Sequence, residues 1–152
     1  MTQVRMALVD DVPSLVQLVR EYWQFEGIPA FDGDRTSVQL KRLLSERDLG
    51  AAWIALDEDQ PVGYLLAVYV FSLEHFGLTA EIDEFFVLRA YRGSRVGSEL
   101  LAVAESEFVR AGCTNVSLQL ARGNVDARGF YHRYGYRERA GYELLDKTLP
   151  AV

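Results

Sequence analysis

The chain has 152 residues, a length suited to one domain that buries roughly two-thirds of its unfolded surface. Its 49% hydrophobic and 25% charged residues are ordinary for a globular protein, and a net charge of −6 excludes a general nucleic-acid binder, which needs a basic face. No apolar run approaches the roughly 18 residues that span a bilayer, the N-terminus MTQVRMALVDD lacks a secretion-type apolar segment, and one cysteine, Cys113, excludes an internal disulfide or a cysteine-based zinc cluster. The expectation is a single domain over residues 1–152, cytoplasmic, with no membrane or nucleic-acid partner. No metal site is expected either, since His75 and His132 are too far apart in sequence to form a ligand signature.

Residues 2–9 alternate loosely and predict a first strand. Asp10 or Asp11 can cap a helix that begins near Pro13, with Leu15, Leu18, Val19 and Tyr22 as its buried stripe. Gly27 and Pro29 end it, and FDGD reads as a loop. A second helix is predicted from about Thr36 to Arg47, with Val38, Leu40, Leu43 and Leu44 as its apolar positions. Residues 51–57 and 62–71 flank the turn DEDQP and predict a hairpin, and SLEHFGLTA reads as a loop. From Glu81 to Leu101 the run EIDEFFVLRAYRGSRVGSELL predicts a buried strand, a turn and an amphipathic helix, whose Val96, Leu100, Leu101, Ala104 and Phe108 share one face. Ala111-Gly112 ends that helix. A strand over 116–120, a helix over 124–134 and one or two strands over 136–149 complete the chain. The order β-α-α-β-β-β-α-β-α-β-β gives a mixed α/β (α+β) fold, antiparallel in its meander and parallel across the β-α-β unit, with helices on both faces of the sheet.

The chemistry is concentrated around the turn at 92–98. Gly93 and Gly97 bracket a bend in which the backbone can approach a ligand closely. The helix that follows aims its free N–H groups and positive dipole end at whatever lies outside, and a phosphate or pyrophosphate is the natural guest. Asp83 and Glu84 lie just upstream, so acid–base groups precede an anion site. A nucleotide-triphosphatase loop is excluded because Gly97 is followed by Ser98 and Glu99 where such a loop needs Lys. A dinucleotide-binding turn would want Gly at position 95 and an acidic residue at the end of strand 116–120, which runs into Leu-Ala-Arg.

YRGSRVGSELL resembles the acyl-CoA-binding motif of the GNAT N-acetyltransferases, whose pattern is Gln or Arg, two residues, Gly, one residue, then Gly or Ala. Arg92, Gly93, Ser94, Arg95, Val96 and Gly97 fill it, except that Arg95 stands where the family usually has a Gly. An Arg fits there with an ordinary φ and an outward side chain, where it can add a charge for a phosphate. A second segment, NVDARGFYHRYGY, is similar to the family's later motif, with Asn124, Tyr131, Gly135 and Tyr136 in its places. The resemblance implies a GNAT-like sheet splayed open between its fourth and fifth strands. It implies acetyl-CoA as the donor cosubstrate, held by Phe85, Phe86 and Val87 on the strand, by Arg92, Gly93, Ser94, Arg95, Val96, Gly97 and Ser98 in the turn, and by Asn124 and Tyr131. The partner is an amine-bearing acceptor, and the resemblance allows a homodimer.

Acetyl transfer to an amine needs a proton removed from the ammonium, negative charge stabilised on the carbonyl oxygen and a proton for the departing thiolate. Asp83 falls on the base position of spermidine/spermine acetyltransferases and related members, with Glu84 as its acidic neighbour. Strand alternation sends the two to opposite faces unless a bulge shifts the register, and it places Glu81 on the face of Asp83. The competing assignment for the pair is a solvent-facing or salt-bridged surface. Tyr131 is the candidate acid, against a packing role with Phe130 and Tyr134. The Val87 backbone N–H is the implied oxyanion donor. His132 reads as surface, His75 as a loop residue near the acceptor, and Cys113 as no nucleophile. Tyr22, Trp23, Phe25 and Glu26 end the first helix where the family shapes its acceptor pocket. The alternative is a regulatory module that binds acyl-CoA without turnover; the presence of both acid and base candidates argues against it. Acidic residues around the cleft (Glu26, Glu74, Glu81, Asp83, Glu84) suit a polyamine, an aminoglycoside or a peptide amine.

Overall fold

Strand propensity and two-sided burial organise the first 119 residues around one sheet. In the computed structural model, which describes residues 1–151, the chain forms two compact units, Met1–Gln119 and Leu120–Val152. The first unit contains β1 (Thr2–Met6), α1 (Val12–Glu26), α2 (Gly33–Ser45), β2 (Gly50–Asp57), β3 (Gln60–Ser72), β4 (Gly77–Val87), α3 (Val96–Arg110) and β5 (Val116–Leu118). Its sheet has the order β1-β2-β3-β4-β5, antiparallel through β4 and parallel between β4 and β5.

Alternation along the strands separates two apolar layers. Ala52 and Ile54 of β2, Tyr64 of β3 and Phe86 of β4 pack with Val12, Leu15, Leu18 and Val19 of α1 and Leu40 of α2. Trp53 faces the opposite way and meets Phe108 of α3 edge-on, with ring centroids 5.5 Å apart. Val96, Leu100, Leu101, Ala104 and Phe108 are all at most 1% exposed, so the four-residue repeat read from the sequence is the seam of α3 against the sheet.

Several boundaries depart from expectation for local reasons. Asp11 does not cap α1 through its side chain; its carboxylate takes two hydrogen bonds from the Arg5 guanidinium and one from the Leu8 N–H. Asp32 caps α2 by accepting from the Arg35 N–H, so that helix starts inside the predicted loop, and Val38 is exposed while Leu40 and Leu43 are buried. β4 begins at Gly77 because the hairpin with β3 continues to Ser72↔Gly77, absorbing half of the predicted loop. β5 is three residues long, and the strands predicted over 136–149 do not form among the described residues. That segment is largely exposed and lacks the neighbouring strand that alternation alone cannot supply.

In the second unit α4 (Val125–Arg133) starts at Asn124, whose side-chain oxygen accepts from the Ala127 N–H at 3.1 Å. No helix among the described residues is long and apolar enough to cross a membrane.

Candidate active site

The candidate site in the first unit begins with an irregularity in β4. Leu66 pairs with Glu84 and Ala67 with Ile82, so Asp83 is an extra residue opposite no partner. This bulge corrects the expectation that Asp83 and Glu84 look to opposite faces. Glu84 reaches Trp23 of α1 and so serves the α1 side of the sheet, and the extra residue frees Asp83 from strict alternation with it. It also moves Glu81, which pairs with Val68, onto the face of Glu84. The sequence pattern cannot show the bulge, because only the pairing across β3 reveals one residue too many.

The two carboxylates differ in their surroundings. Glu84 Oε2 accepts from Trp23 Nε1 at 2.8 Å, and Oε1 accepts from the Tyr64 hydroxyl at 2.7 Å. Burial raises the Glu84 carboxyl above its ordinary value, against the lowering by these two donors and with a further push from the Asp83 charge. Asp83 keeps an exposed surface, yet the protein around it is dense enough that desolvation raises its carboxyl too. Tyr22 is pushed up to about 12 by burial and by Glu26, Glu84 and Asp83, so its phenol stays protonated at neutral pH. Tyr64, fully buried, is pushed higher still, by burial first and then by Glu84. Trp23 and Tyr64 are contacts that residue types did not foretell; Tyr64 reaches Glu84 through strand register alone.

Beyond the bulge β4 exposes an edge. Its pairing with β5 stops at Ile82↔Leu118, five residues before β4 ends at Val87. The Leu88 N–H donates to the Val62 carbonyl at 2.9 Å, which brackets Gly63↔Val87 as a pair whose own peptide groups point away from each other. The Val87 N–H and carbonyl therefore face the β5 side. The side chain of Phe86 is buried against α1, while by the same parity its peptide groups turn toward β3. The Val87 carbonyl accepts from Arg92 Nε at 2.9 Å, and the Arg92 guanidinium lies 4.3 Å from the Phe25 ring centroid and 5.3 Å from that of Phe86.

The turn itself is built by one obligatory glycine. Gly93 has φ +78°, a conformation that a side chain would strain, whereas Gly97 sits inside the first turn of α3 without a positive φ. Arg95 is the N-cap of α3 with φ −84°, the ordinary value its presence required, and no side chain caps the helix. The Ser94 hydroxyl donates to the Tyr91 carbonyl and the Ser98 hydroxyl to that of Arg95, so both turn back on the chain. The N–H groups of Val96, Gly97 and Ser98 have no intrahelical acceptor and point out of the helix end. This arrangement fits a pyrophosphate.

In the second unit Tyr131 lies mid-helix in α4, seven residues after the Asn124 cap, with its ring against Phe130 and Tyr136. His132 pairs with Glu138 at 2.5 Å. Cys113, partly buried, has its thiol raised by desolvation, the reverse of an activated nucleophile. A cavity of about 430 Å³ opens between the C-terminal ends of α2 and α3, lined by Met6, Leu43, Arg47, Tyr69 and Glu107 among others. None of the residues expected to carry chemistry lines it.

A mixed sheet whose fourth strand parts from its fifth, followed by an uncapped helix N-terminus, is the architecture of the N-acetyltransferase fold. Residues 12–136 match the sequence model of the acetyltransferase (GNAT) family, and the chain belongs to that family. An aminoalkylphosphonate N-acetyltransferase from Salmonella typhimurium is 38% identical over 85 residues, covering 56% of this chain and 55% of that protein, so the chain spans about half the length of this curated relative. An integron cassette protein from the mobile metagenome of Cole Harbour Salt Marsh superposes with a TM-score of 0.86 at 32% identity, over 98% of this chain and 91% of that one. An aminoglycoside N-acetyltransferase in complex with CoA shares the fold with a TM-score of 0.85 at 16% identity, over 98% and 96% of the two chains.

Proposed function

We propose that this protein moves the acetyl group of acetyl-CoA directly to a primary amine, with residues 1–152 acting as one acyltransferase domain. The observation that carries the reading is the sequence of features along one strand: two desolvated carboxylates at a bulge, an outward Val87 N–H four residues later, then the uncapped start of α3. Acetyl-CoA would supply an activated thioester. Backbone N–H groups at residues 93–98 hold its pyrophosphate, with the Arg95 charge available beside them. The outer edge of β4, through Phe85 and Val87, pairs with the pantetheine amide, and the Val87 N–H receives the developing oxyanion. The Asp83/Glu84 pair takes the acceptor's proton, and Tyr131 returns one to the thiolate. Its phenol, with an ordinary pKa near ~10, can donate without being ionised at neutral pH.

The acceptor is an amine drawn to an acidic, aromatic surface made by Tyr22, Glu26, Asp83 and Glu84. Polyamines, aminoglycosides and peptide amines fit that description, and the relative from Salmonella adds aminoalkylphosphonates to the panel. The test is a screen of these amines with acetyl-CoA, read by free thiol release. Acetyl-CoA binding without thiol release above hydrolysis for every amine would replace the enzyme reading with that of a ligand-binding module.

A further inference from the structure

We propose that Trp23 and Tyr64 are positioning residues that clamp Glu84 as a fixed anion for the acceptor's ammonium, leaving Asp83 as the group that takes the proton. The inference rests on the acetyltransferase reading above and divides the labour within its carboxylate pair. Both Glu84 oxygens are engaged, by α1 through Trp23 Nε1 at 2.8 Å and by β3 through the Tyr64 hydroxyl at 2.7 Å. Neither donor is a cation, so the negative charge of Glu84 is held in place without being neutralised. Two fixed donors set the carboxylate plane and leave one lone pair on each oxygen for an incoming N–H.

The clamp is itself supported. Trp23 packs edge-on against Phe31 at 5.7 Å, and Tyr64 is fully buried with Tyr22 edge-on at 6.4 Å. A buried hydroxyl needs an acceptor, and Glu84 supplies it for Tyr64. Asp83 sits one residue away at the bulge, more exposed and without a hydrogen-bond partner among the described residues. The titratable groups facing the pair are Tyr22 from α1, Tyr64 from β3 and Glu81 from β4 itself, with Glu26 acting on the same Tyr22 phenol. In the transfer step an ammonium N–H bond breaks and its proton goes to an Asp83 oxygen, while the freed lone pair forms the bond to the acetyl carbon and the carbonyl π pair moves onto oxygen. Collapse of that oxyanion breaks the C–S bond, the departing sulfur takes a proton from Tyr131, and Tyr131 recovers one from the second N–H of the new amide nitrogen.

Two variants remove one donor each: Tyr64→Phe, which keeps the ring, and Trp23→Phe, which also removes one ring of the indole. The Glu84 carboxyl is followed by ¹³C NMR as a function of pH, a measurement that needs no turnover. Because each donor favours the ionised form, the Glu84 midpoint should rise by roughly one pH unit in either variant. In kinetics, each should lower kcat/KM for 1,4-diaminobutane about tenfold, chiefly through KM, and should have no further effect in a Glu84→Gln background. A midpoint that stays put in both variants overturns the clamp whatever the turnover, and so do effects that persist undiminished once Glu84 is Gln. A parent protein that moves acetyl to no amine overturns the broader enzyme reading, a different result from an unmoved midpoint.

Discussion

Asp83 shows how function and stability pull against each other at a single residue. Its carboxyl is raised by desolvation alone, so the folded protein holds a charge that the unfolded chain would keep better hydrated. An acid whose folded pKa lies above its unfolded value costs stability at every pH above that folded value. The cost fades as pH falls through the folded value and is gone below the ordinary value near 3.8. Asp83→Asn should therefore raise Tm at neutral pH, with the gain disappearing below about pH 3.8 in a calorimetric series. The same variant should lose kcat/KM at neutral pH far more than at high pH, where the amine is already free. A flat stability difference across pH would mean that the charge is not desolvated. Tyr131→Phe keeps the ring and its contacts with Phe130 and Tyr136. Folding should survive while kcat falls by roughly 10²–10⁴ if Tyr131 donates the proton. An unchanged kcat would leave it a packing residue.

The element that matters most is the turn from β4 into α3. Gly93 supplies the left-handed step, and the helix begins without a side-chain cap, so its first N–H groups are open to the proposed pyrophosphate. Gly97→Leu puts a bulky side chain on the first turn of α3 and should weaken acetyl-CoA binding at least tenfold, about 1.4 kcal/mol, by titration calorimetry. Unchanged affinity in a folded variant would remove the pyrophosphate from this turn. The helix also anchors the fold: Phe108 is 1% exposed between Trp53 and Tyr69, and Phe108→Ala should cost about 3–5 kcal/mol in denaturant unfolding.

For the whole molecule, the proposed direct transfer makes a prediction about the order of events. Burial pushes the Cys113 thiol up, the reverse of what a covalent acetyl-cysteine step needs, which supports the proposed direct transfer. Initial-rate lines should intersect when acetyl-CoA and amine are varied together, the signature of a ternary complex. Parallel lines would indicate an acetyl-enzyme and overturn direct transfer.

The strand–turn–helix core was legible in the sequence because its signals are local. Four-residue spacing set the buried face of α3, a glycine announced the turn, and Asn124 announced the start of α4. The motif spacing of Arg92 to Gly97 carried the family without any knowledge of packing. What the sequence alone left undecided was every feature that depends on a neighbouring strand. The terminal segment has strand-like residues but no partner to pair with, so no strands form there among the described residues. The carboxylate pair was found by its residue types, whereas its orientation was decided by a bulge visible only in register with β3. Trp23 and Tyr64 lie 61 and 20 residues from Glu84, and only tertiary structure could make them its partners. A hydrogen bond across the fold leaves no periodic trace along the chain, and that is the physical limit of reading it from sequence.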